Sequence, residues 1–193
     1  MDQRIAIKAV ETLSDDWGVL KKTTFAYRHA DGLWRTHSRE TYDRGHGATI
    51  LLYNRRRGTV VLTRQFRLPA YVTGHHDMLI EACAGLLDAD NAEQCIMRET
   101  EEETGYRVAA PTRLFEVFMS PGSVTERLTF FVAEYEPGAR VACGGGVEGE
   151  DIDVLELPID DALAMIATGE IADGKTIILL QYAKLHGPLD LLT

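Results

Sequence analysis

An acidic helix, predicted over Asp90 to Thr104, is the feature that most constrains this 193-residue chain. Gly105 follows it, and glycine is the residue most often found in the left-handed position that ends a helix. Glu99 and Glu103 are four residues apart, so their carboxylates lie side by side on one face of the helix. Two like charges at this spacing destabilise a helix by roughly a few tenths of a kcal/mol.

The charges around this pair indicate a place for a cation. Arg98 lies four residues before Glu102 and can neutralise it, whereas Glu99 and Glu103 have no such partner within the helix. Mg²⁺ prefers carboxylate oxygens and keeps several waters, which suits a substrate that carries phosphate groups. The alternative is a solvated acidic face, which is the commoner explanation for a run of glutamates on a helix.

Composition and charge exclude several classes of protein. Hydrophobic residues make up 45% of the chain and charged residues 26%, as in ordinary globular proteins. The formal net charge of −10 argues against nonspecific binding to nucleic acid, which depends on basic patches. No apolar run has the length of a membrane span, and the first residues do not resemble a signal peptide. We therefore expect a cytoplasmic protein with neither nucleic-acid nor membrane partners.

The three cysteines and the N-terminal residues bear on the organisation of the chain. Cys83, Cys95 and Cys143 have neither a disulfide pattern nor the paired spacing of zinc ligands.

Residues 1–44 are predicted to form an antiparallel β arm, with a hairpin around Asp31-Gly32, and residues 45–193 are predicted to form the main domain. A sheet this small is marginal alone, so we expect it to pack on the main domain or on a second subunit.

The main domain alternates between strand and helix patterns. Helices are predicted over 159–168 and 175–185, in addition to the acidic helix. Strands are predicted over residues 48–53, 59–66, 78–83, 114–119, 124–135 and 154–157. Arg67 lies where the second of these strands ends, before Leu68-Pro69, and a guanidinium there can hold a phosphate through two nitrogens.

A long glycine-rich segment, Glu136 to Asp151, interrupts the later strands and ends in Glu148, Glu150 and Asp151. A loop of this length in a compact domain is usually either functional or disordered. Its closing acids can reach a metal, so a lid that carries a further metal ligand or a general base is one explanation. From the residues alone, a lid and a disordered segment are equally good explanations.

The acidic helix lies in a pattern that resembles the Nudix box. Arg98, Glu99, Glu102, Glu103, Gly105 and Tyr106 are in register with that box. Asp90 takes the place of its first glutamate, and Thr100 replaces an apolar residue. The loop that begins at Gly85 is one residue shorter than in the box.

The resemblance extends along nearly the whole chain and is closest to the GDP-mannose hydrolases, a Nudix branch related to the ADP-ribose pyrophosphatases. The segments that carry it are RETYDRG at 39–45, GATILLYN at 47–54, VLTRQFR at 61–67, EACAGLLD at 81–88, MSPGSVTE at 119–126, GGGVEGEDI at 144–152 and DGKT at 173–176. The resemblance implies an α/β (α+β) fold, an α/β/α sandwich with a mixed sheet. It also implies an N-terminal antiparallel β arm that is exchanged across a homodimer.

The same resemblance implies a set of site residues. The metal is expected to be Mg²⁺, for which Mn²⁺ can substitute, held by the backbone oxygen of Ala84 and the side chains of Glu99, Glu103 and Glu150. These three glutamates would be the catalytic residues, with Glu150 either the general base or purely a metal ligand. The expected substrate contacts are Trp17, Ser38, Arg39, Glu40, Arg67, Ala84, Gly85, Glu103, Glu126, Gly149, Glu150 and Lys175. Ser38 stands where the branch has a basic residue, and Gly149 where it has an acid.

The resemblance predicts hydrolysis of a nucleotide sugar, with GDP-mannose giving GMP and mannose 1-phosphate. One alternative is an ADP-ribose pyrophosphatase that forms AMP and ribose 5-phosphate. The other is a non-catalytic module that senses nucleotides. Such modules tend to lose the acids of the box and to carry a DNA-binding segment, whereas the acids are present here and no basic helical domain is evident.

Overall fold

The computed structural model describes residues 4–87, 89–147 and 149–186. Glu148 of the predicted loop, and Gly187-Pro188 at the predicted end of the last helix, lie outside these residues. The chain divides into two compact units, one of residues 1–46 with 118–127, the other of residues 47–117 with 128–193. A boundary after residue 44, with separate roles on either side, stays a prediction.

The first unit is built on a three-stranded antiparallel sheet. Its strands are β1 (Ile5–Asp15), β2 (Val19–Arg28) and β3 (Trp34–Asp43), in the order β1-β2-β3. At the predicted hairpin, the backbone N–H of Leu33 donates to Oδ1 of Asp31 at 2.9 Å. The predicted N-terminal antiparallel sheet is therefore confirmed.

The second unit contains a mixed seven-stranded sheet. Its strands are β4 (Gly47–Asn54), β5 (Thr59–Gln65), β6 (Leu79–Glu81), β7 (Cys83–Leu86), β8 (Thr112–Phe118), β9 (Arg127–Glu134) and β10 (Ile152–Pro158). The order is β10-β5-β4-β9-β8, with β6 paired to β5 and β7 to β4. β4 pairs parallel with β9 and antiparallel with β5 and β7. The predicted mixed sheet is confirmed.

Helices cover both faces of this sheet. The helices are α1 (Leu68–Val72), α2 (Ala92–Thr104), α3 (Ile159–Thr168) and α4 (Gly174–His186), of which α2 and α4 contact β4 whereas α1 has no buried residue. Ile50 and Leu52 pack with Ile96 of α2 in one core cluster. Tyr53 points to the opposite face, because strand side chains alternate, and there it lines a cleft with Ala183 of α4. Coverage on both faces explains why every residue of β4 is buried.

Three local differences separate the structure from the sequence prediction. The strand predicted over 78–83 is two short strands, because the backbone N–H of Ala82 donates to Thr176 Oγ1 at 2.7 Å and the chain changes partner strand there. The short helix α1 was not predicted, although proline is tolerated in its first turn. Helix α2 begins after Asn91 and not at Asp90. Among the described residues, no helix has the length and apolarity needed to span a membrane.

Candidate active site

The two ends of α2 fix the position of its acidic face. Oδ1 of Asn91 accepts a hydrogen bond from the Gln94 backbone N–H at 2.9 Å, which caps the first turn. Gly105 has a φ of 75° and ends the helix as predicted. Glu99 and Glu103 lie one turn apart on the face that packs on β7. A Cβ atom at Gly85 of β7 would overlap the carboxyl group of Glu99, so only glycine allows this approach.

The carboxylate of Glu103 is buried without full hydrogen bonding. The residue is 4% exposed, and its Oε2 atom has no hydrogen-bond partner among the described residues. Burial raises the pKa of Glu103 to about 7, although hydrogen bonds from Cys83 and the Ala84 backbone act in the opposite direction. Burial also raises the pKa of Glu99. The charged form of Glu103 therefore has an oxygen without a partner among the described residues, which is the electrostatic condition that a bound cation satisfies.

The remaining predicted metal ligands differ in position. Ala84 is adjacent to Glu103, because its backbone hydrogen-bonds that carboxylate. Glu150 is exposed, and its Oε2 accepts a hydrogen bond from the Val147 backbone N–H at 2.8 Å within its own loop. Its charge nevertheless contributes to the raised pKa of Glu99, after the larger effect of burial. In residues 4–87, 89–147 and 149–186, no three His, Cys, Asp or Glu side chains form a preassembled metal group. Glu99 and Glu103, with the unpartnered Oε2 atom of Glu103, still offer carboxylate oxygens of the kind that Mg²⁺ prefers.

Arg98 has more partners than the sequence predicted. Its Nη1 lies 3.0 Å from Oε2 of Glu102, as expected, and also 3.0 Å from Oε1 of Glu99. The expectation that Glu99 has no partner within the helix is therefore wrong, because the long guanidinium group reaches both acids. Glu103 has no ion pair with a basic side chain in the part of the chain that the structure describes. A bound cation would therefore neutralise Glu103 in particular.

The glycine-rich loop is attached to the C-terminal end of α2. The backbone N–H groups of Gly145 and Gly146 donate to the carbonyls of Glu103 and Glu102 at 2.9 and 3.0 Å. These carbonyls belong to the last turn, where a helix leaves its own acceptors unpaired. Gly144 has a φ of 69°, and a Cβ atom there would lie 2.6 Å from the carbonyl oxygen of Glu103. The segment that carries Glu150 is thus hydrogen-bonded to the helix that carries Glu99 and Glu103.

A buried carboxylate brings together two basic residues that were predicted to contact the substrate, Arg67 and Lys175. Arg67 Nε donates to Oε2 of Glu81 at 2.6 Å, and Lys175 Nζ donates to Oε1 of Glu81 at 2.5 Å. The Glu81 side chain is only 4% exposed. Burial is the largest influence on the pKa of Glu103, but the charge of Arg67 lowers it, so the Arg67 guanidinium lies near Glu103. No role was predicted for Glu81, although an acid between Ile80 and Ala82 in an apolar run was a signal for one.

The other predicted substrate contacts divide between the two units. Trp17 is 69% exposed, and Ser38 shares a 2.9 Å hydrogen bond with Thr24. Glu126, whose side chain is 10% exposed, forms a 2.5 Å ion pair with Arg44. The first unit holds Trp17, Ser38, Arg39, Glu40 and Glu126, and the second holds Arg67, Ala84, Gly85, Glu103, Gly149, Glu150 and Lys175. Their roles as substrate contacts stay predictions.

Comparison with known proteins identifies the family. Residues 43–180 match the NUDIX domain, and residues 4–42 match the family described as the GDP-mannose pyrophosphatase NudK N-terminal domain. The chain therefore belongs to the Nudix family, as its box indicated.

Individual relatives and one solved structure agree with this assignment. The chain is 55% identical over 188 residues to a GDP-mannose pyrophosphatase of Klebsiella pneumoniae, with coverage of 97% of this chain and 95% of that protein. It is 58% identical over 177 residues to a GDP-mannose pyrophosphatase of Yersinia pestis, with coverage of 91% and 89%. A crystal structure of an ADP compounds hydrolase superposes with a TM-score of 0.72 at 18% identity, covering 96% of this chain and 97% of that one. This superposition confirms the predicted fold.

Proposed function

We propose that this protein is a Mg²⁺-dependent Nudix pyrophosphatase that hydrolyses GDP-mannose to GMP and mannose 1-phosphate. The observation that carries the proposal is the buried Glu103 carboxylate, which has an unpartnered oxygen and lies one turn from Glu99. Relatives that are 55–58% identical over nearly their full length are named GDP-mannose pyrophosphatases, which supports this choice of substrate.

The chemistry of a diphosphate assigns roles to the acidic residues. Glu99, Glu103, Glu150 and the backbone oxygen of Ala84 would hold Mg²⁺, which when bound neutralises phosphate charge and activates water. Glu150 is our candidate for the base that takes a proton from the attacking water, unless it serves only as a metal ligand. The water oxygen forms a bond to one phosphorus, and the bond from that phosphorus to the bridging oxygen breaks. The leaving phosphate carries the electron pair of that bond.

The basic residues would act on the same diphosphate. Arg67 and Lys175 both contact the Glu81 carboxylate, and the Arg67 guanidinium lies near Glu103, so the two cations would bind the phosphate oxygens. Their charge would stabilise the negative charge that develops on the leaving oxygen. Gly149 would let the substrate approach the backbone closely, since it presents no side chain, and Gly85 would contact the substrate through its backbone.

The first unit would supply nucleotide contacts in a homodimer. Ile7 and Val10 of β1 are 60% and 59% exposed, so this sheet presents apolar side chains that a second subunit would cover. We propose that Trp17, Arg39 and Glu40 contact the nucleotide, with Ser38 and Glu126 beside them. Size-exclusion chromatography with light scattering should return the mass of two chains, and the mass of one chain would refute the dimer.

A cytoplasmic location completes the proposal. Among the described residues, Cys83, Cys95 and Cys143 form no disulfide, as expected in a reducing compartment. The protein would then meet its nucleotide-sugar substrate in the same compartment. Fractionation of the native cells should recover the protein with cytoplasmic markers.

Product analysis by anion exchange tests the activity. The protein is incubated with Mg²⁺ and GDP-mannose, with ADP-ribose at equal concentration in a parallel reaction and Glu103→Gln as the inactive control. We expect GMP and mannose 1-phosphate to form faster than AMP and ribose 5-phosphate. The reverse preference would move the protein to the ADP-ribose pyrophosphatases, and no product from either substrate would favour a nucleotide-sensing module. Replacing Mg²⁺ with Mn²⁺ tests whether the second metal substitutes.

A further inference from the structure

Glu81 connects two basic residues that come from distant parts of the chain. Arg67 follows β5 and Lys175 lies at the start of α4, and each donates a short hydrogen bond to a different oxygen of the Glu81 carboxylate. A buried carboxylate is costly unless it is paired and hydrogen-bonded, so this position of Glu81 depends on both cations. Glu81 is in turn the only acid that contacts both of them among the residues that the structure describes.

The support for Lys175 continues into the strand that bears Glu81. Oδ2 of Asp173 lies 3.1 Å from Lys175 Nζ and accepts a 2.6 Å hydrogen bond from Thr176 Oγ1. Thr176 Oγ1 also accepts a 2.7 Å hydrogen bond from the Ala82 backbone N–H. The start of α4 and the end of β6 are therefore joined by a continuous hydrogen-bonded network, which limits how far Lys175 can move from Glu81.

We propose that Glu81 is a positioning residue that holds Arg67 and Lys175 at the separation needed to bind the substrate diphosphate. This inference rests on the proposed function, since it needs both cations to contact the substrate. Arginine and lysine side chains are long and lose rotamer freedom when they bind a ligand. Glu81 fixes both before the substrate arrives, and small displacements of such groups reduce rates on the order of 100-fold. The formal charges of Arg67, Lys175, Glu81 and Asp173 cancel, so this group adds no net charge when no substrate is bound.

The test begins with Glu81→Gln, which keeps the shape of the side chain and removes its charge. We expect kcat/KM for GDP-mannose to fall on the order of 100-fold, mainly through kcat, because the freed cations still attract the diphosphate. Glu81→Asp keeps the charge and should restore part of the lost kcat/KM.

Mg²⁺ should still raise the melting temperature of Glu81→Gln, because Glu81 is not a proposed metal ligand. The control is Glu156→Gln, which removes a carboxylate paired with Arg57 at 2.7 Å in the same sheet and should leave activity unchanged.

A double-mutant cycle separates positioning from general damage to the fold. A structural defect would lower the rate by the same factor in any background, whereas residues that act together are not additive. We expect the factor by which Glu81→Gln lowers kcat/KM to be about tenfold smaller in a Lys175→Met background than in the wild-type protein.

Each outcome is decisive. If the wild-type protein hydrolyses GDP-mannose and Glu81→Gln is equally active, the positioning role is overturned while the proposed function stands. The same conclusion follows if Glu81→Gln lowers kcat/KM by the same factor in both backgrounds. An inactive wild-type protein would instead overturn the proposed function and this inference with it. If Glu81→Gln does not fold, then Glu81→Asp in the two backgrounds gives the same comparison.

Discussion

Gly85 lies directly beneath the carboxyl group of Glu99, at a distance that no larger residue permits. Gly85 begins the Nudix box and Glu99 lies in its helix, and their contact places the acidic face of α2 against β7. Glu99 can therefore keep this position only if residue 85 has no Cβ atom.

Gly85→Ala is expected to displace Glu99 without unfolding the protein. The added Cβ overlaps the end of a side chain and not the backbone, so the carboxylate can move aside. We expect a loss of kcat on the order of 100-fold and a weaker stabilisation by Mg²⁺. Circular dichroism and Mg²⁺-dependent melting check this prediction, with Gly138→Ala as control because a Cβ there meets nothing within 4 Å. Equal behaviour of the two variants would contradict it.

Glu103→Gln should abolish most activity and also remove the stabilising effect of Mg²⁺. The amide keeps the shape of the side chain but not the charge that would bind the ion, so the fold should persist. Because the carboxylate is buried with one unpartnered oxygen, the metal-free variant should be at least as stable as the metal-free wild-type protein. Melting temperatures with EDTA and with Mg²⁺ measure both effects. A normal Mg²⁺-dependent increase in the variant would argue against Glu103 as a ligand.

The stability of the metal-free protein should depend on pH through Glu103. Its pKa is about 7 in the folded protein against an ordinary value of 4.5, so the folded state binds the proton more tightly than the unfolded state. The protonated Glu103 side chain therefore makes its full contribution to the free energy of unfolding below pH 4.5, and this contribution is lost as the pH rises through about 7. The change corresponds to at most roughly 3 kcal/mol. Between pH 5 and pH 8 in EDTA, the free energy of unfolding measured with urea should fall further for the wild-type protein than for Glu103→Gln.

Gly144→Ala should detach the glycine-rich loop from α2. The residue has a positive φ, and its Cβ would lie 2.6 Å from the carbonyl oxygen of Glu103, where only the backbone could move. We expect Glu150 to lose its fixed position, activity to fall at least tenfold, and the loop to become more sensitive to limited proteolysis. Gly138→Ala in the same segment is the matched control. Unchanged proteolysis and turnover in Gly144→Ala would indicate that the attachment has no functional role.

Local signals in the amino-acid sequence were sufficient to predict the framework of helices and strands. The spacing of Glu99 and Glu103 and the glycine at position 105 predicted α2 and its acidic face, because i,i+4 geometry and the helix cap depend only on nearby residues. Most strands were predicted to within a few residues for the same reason, since alternation and turn residues are local signals. The resemblance to the Nudix branch then added the backbone oxygen of Ala84 as a candidate ligand and supplied the set of candidate substrate contacts.

Tertiary structure alone decided which distant groups meet. Glu81 contacts Arg67, 14 residues away, and Lys175, 94 residues away, because β6 pairs with β5 and α4 packs on the same sheet. The break at Ala82 likewise depends on a hydrogen bond to Thr176, which no local pattern contains. The raised pKa of Glu103 results from burial between helix and sheet, a property of the packed molecule and not of the residue. Sequence periodicity fixes which face of an element a residue occupies, whereas only the order of the strands and the packing of the helices decide what that face contacts.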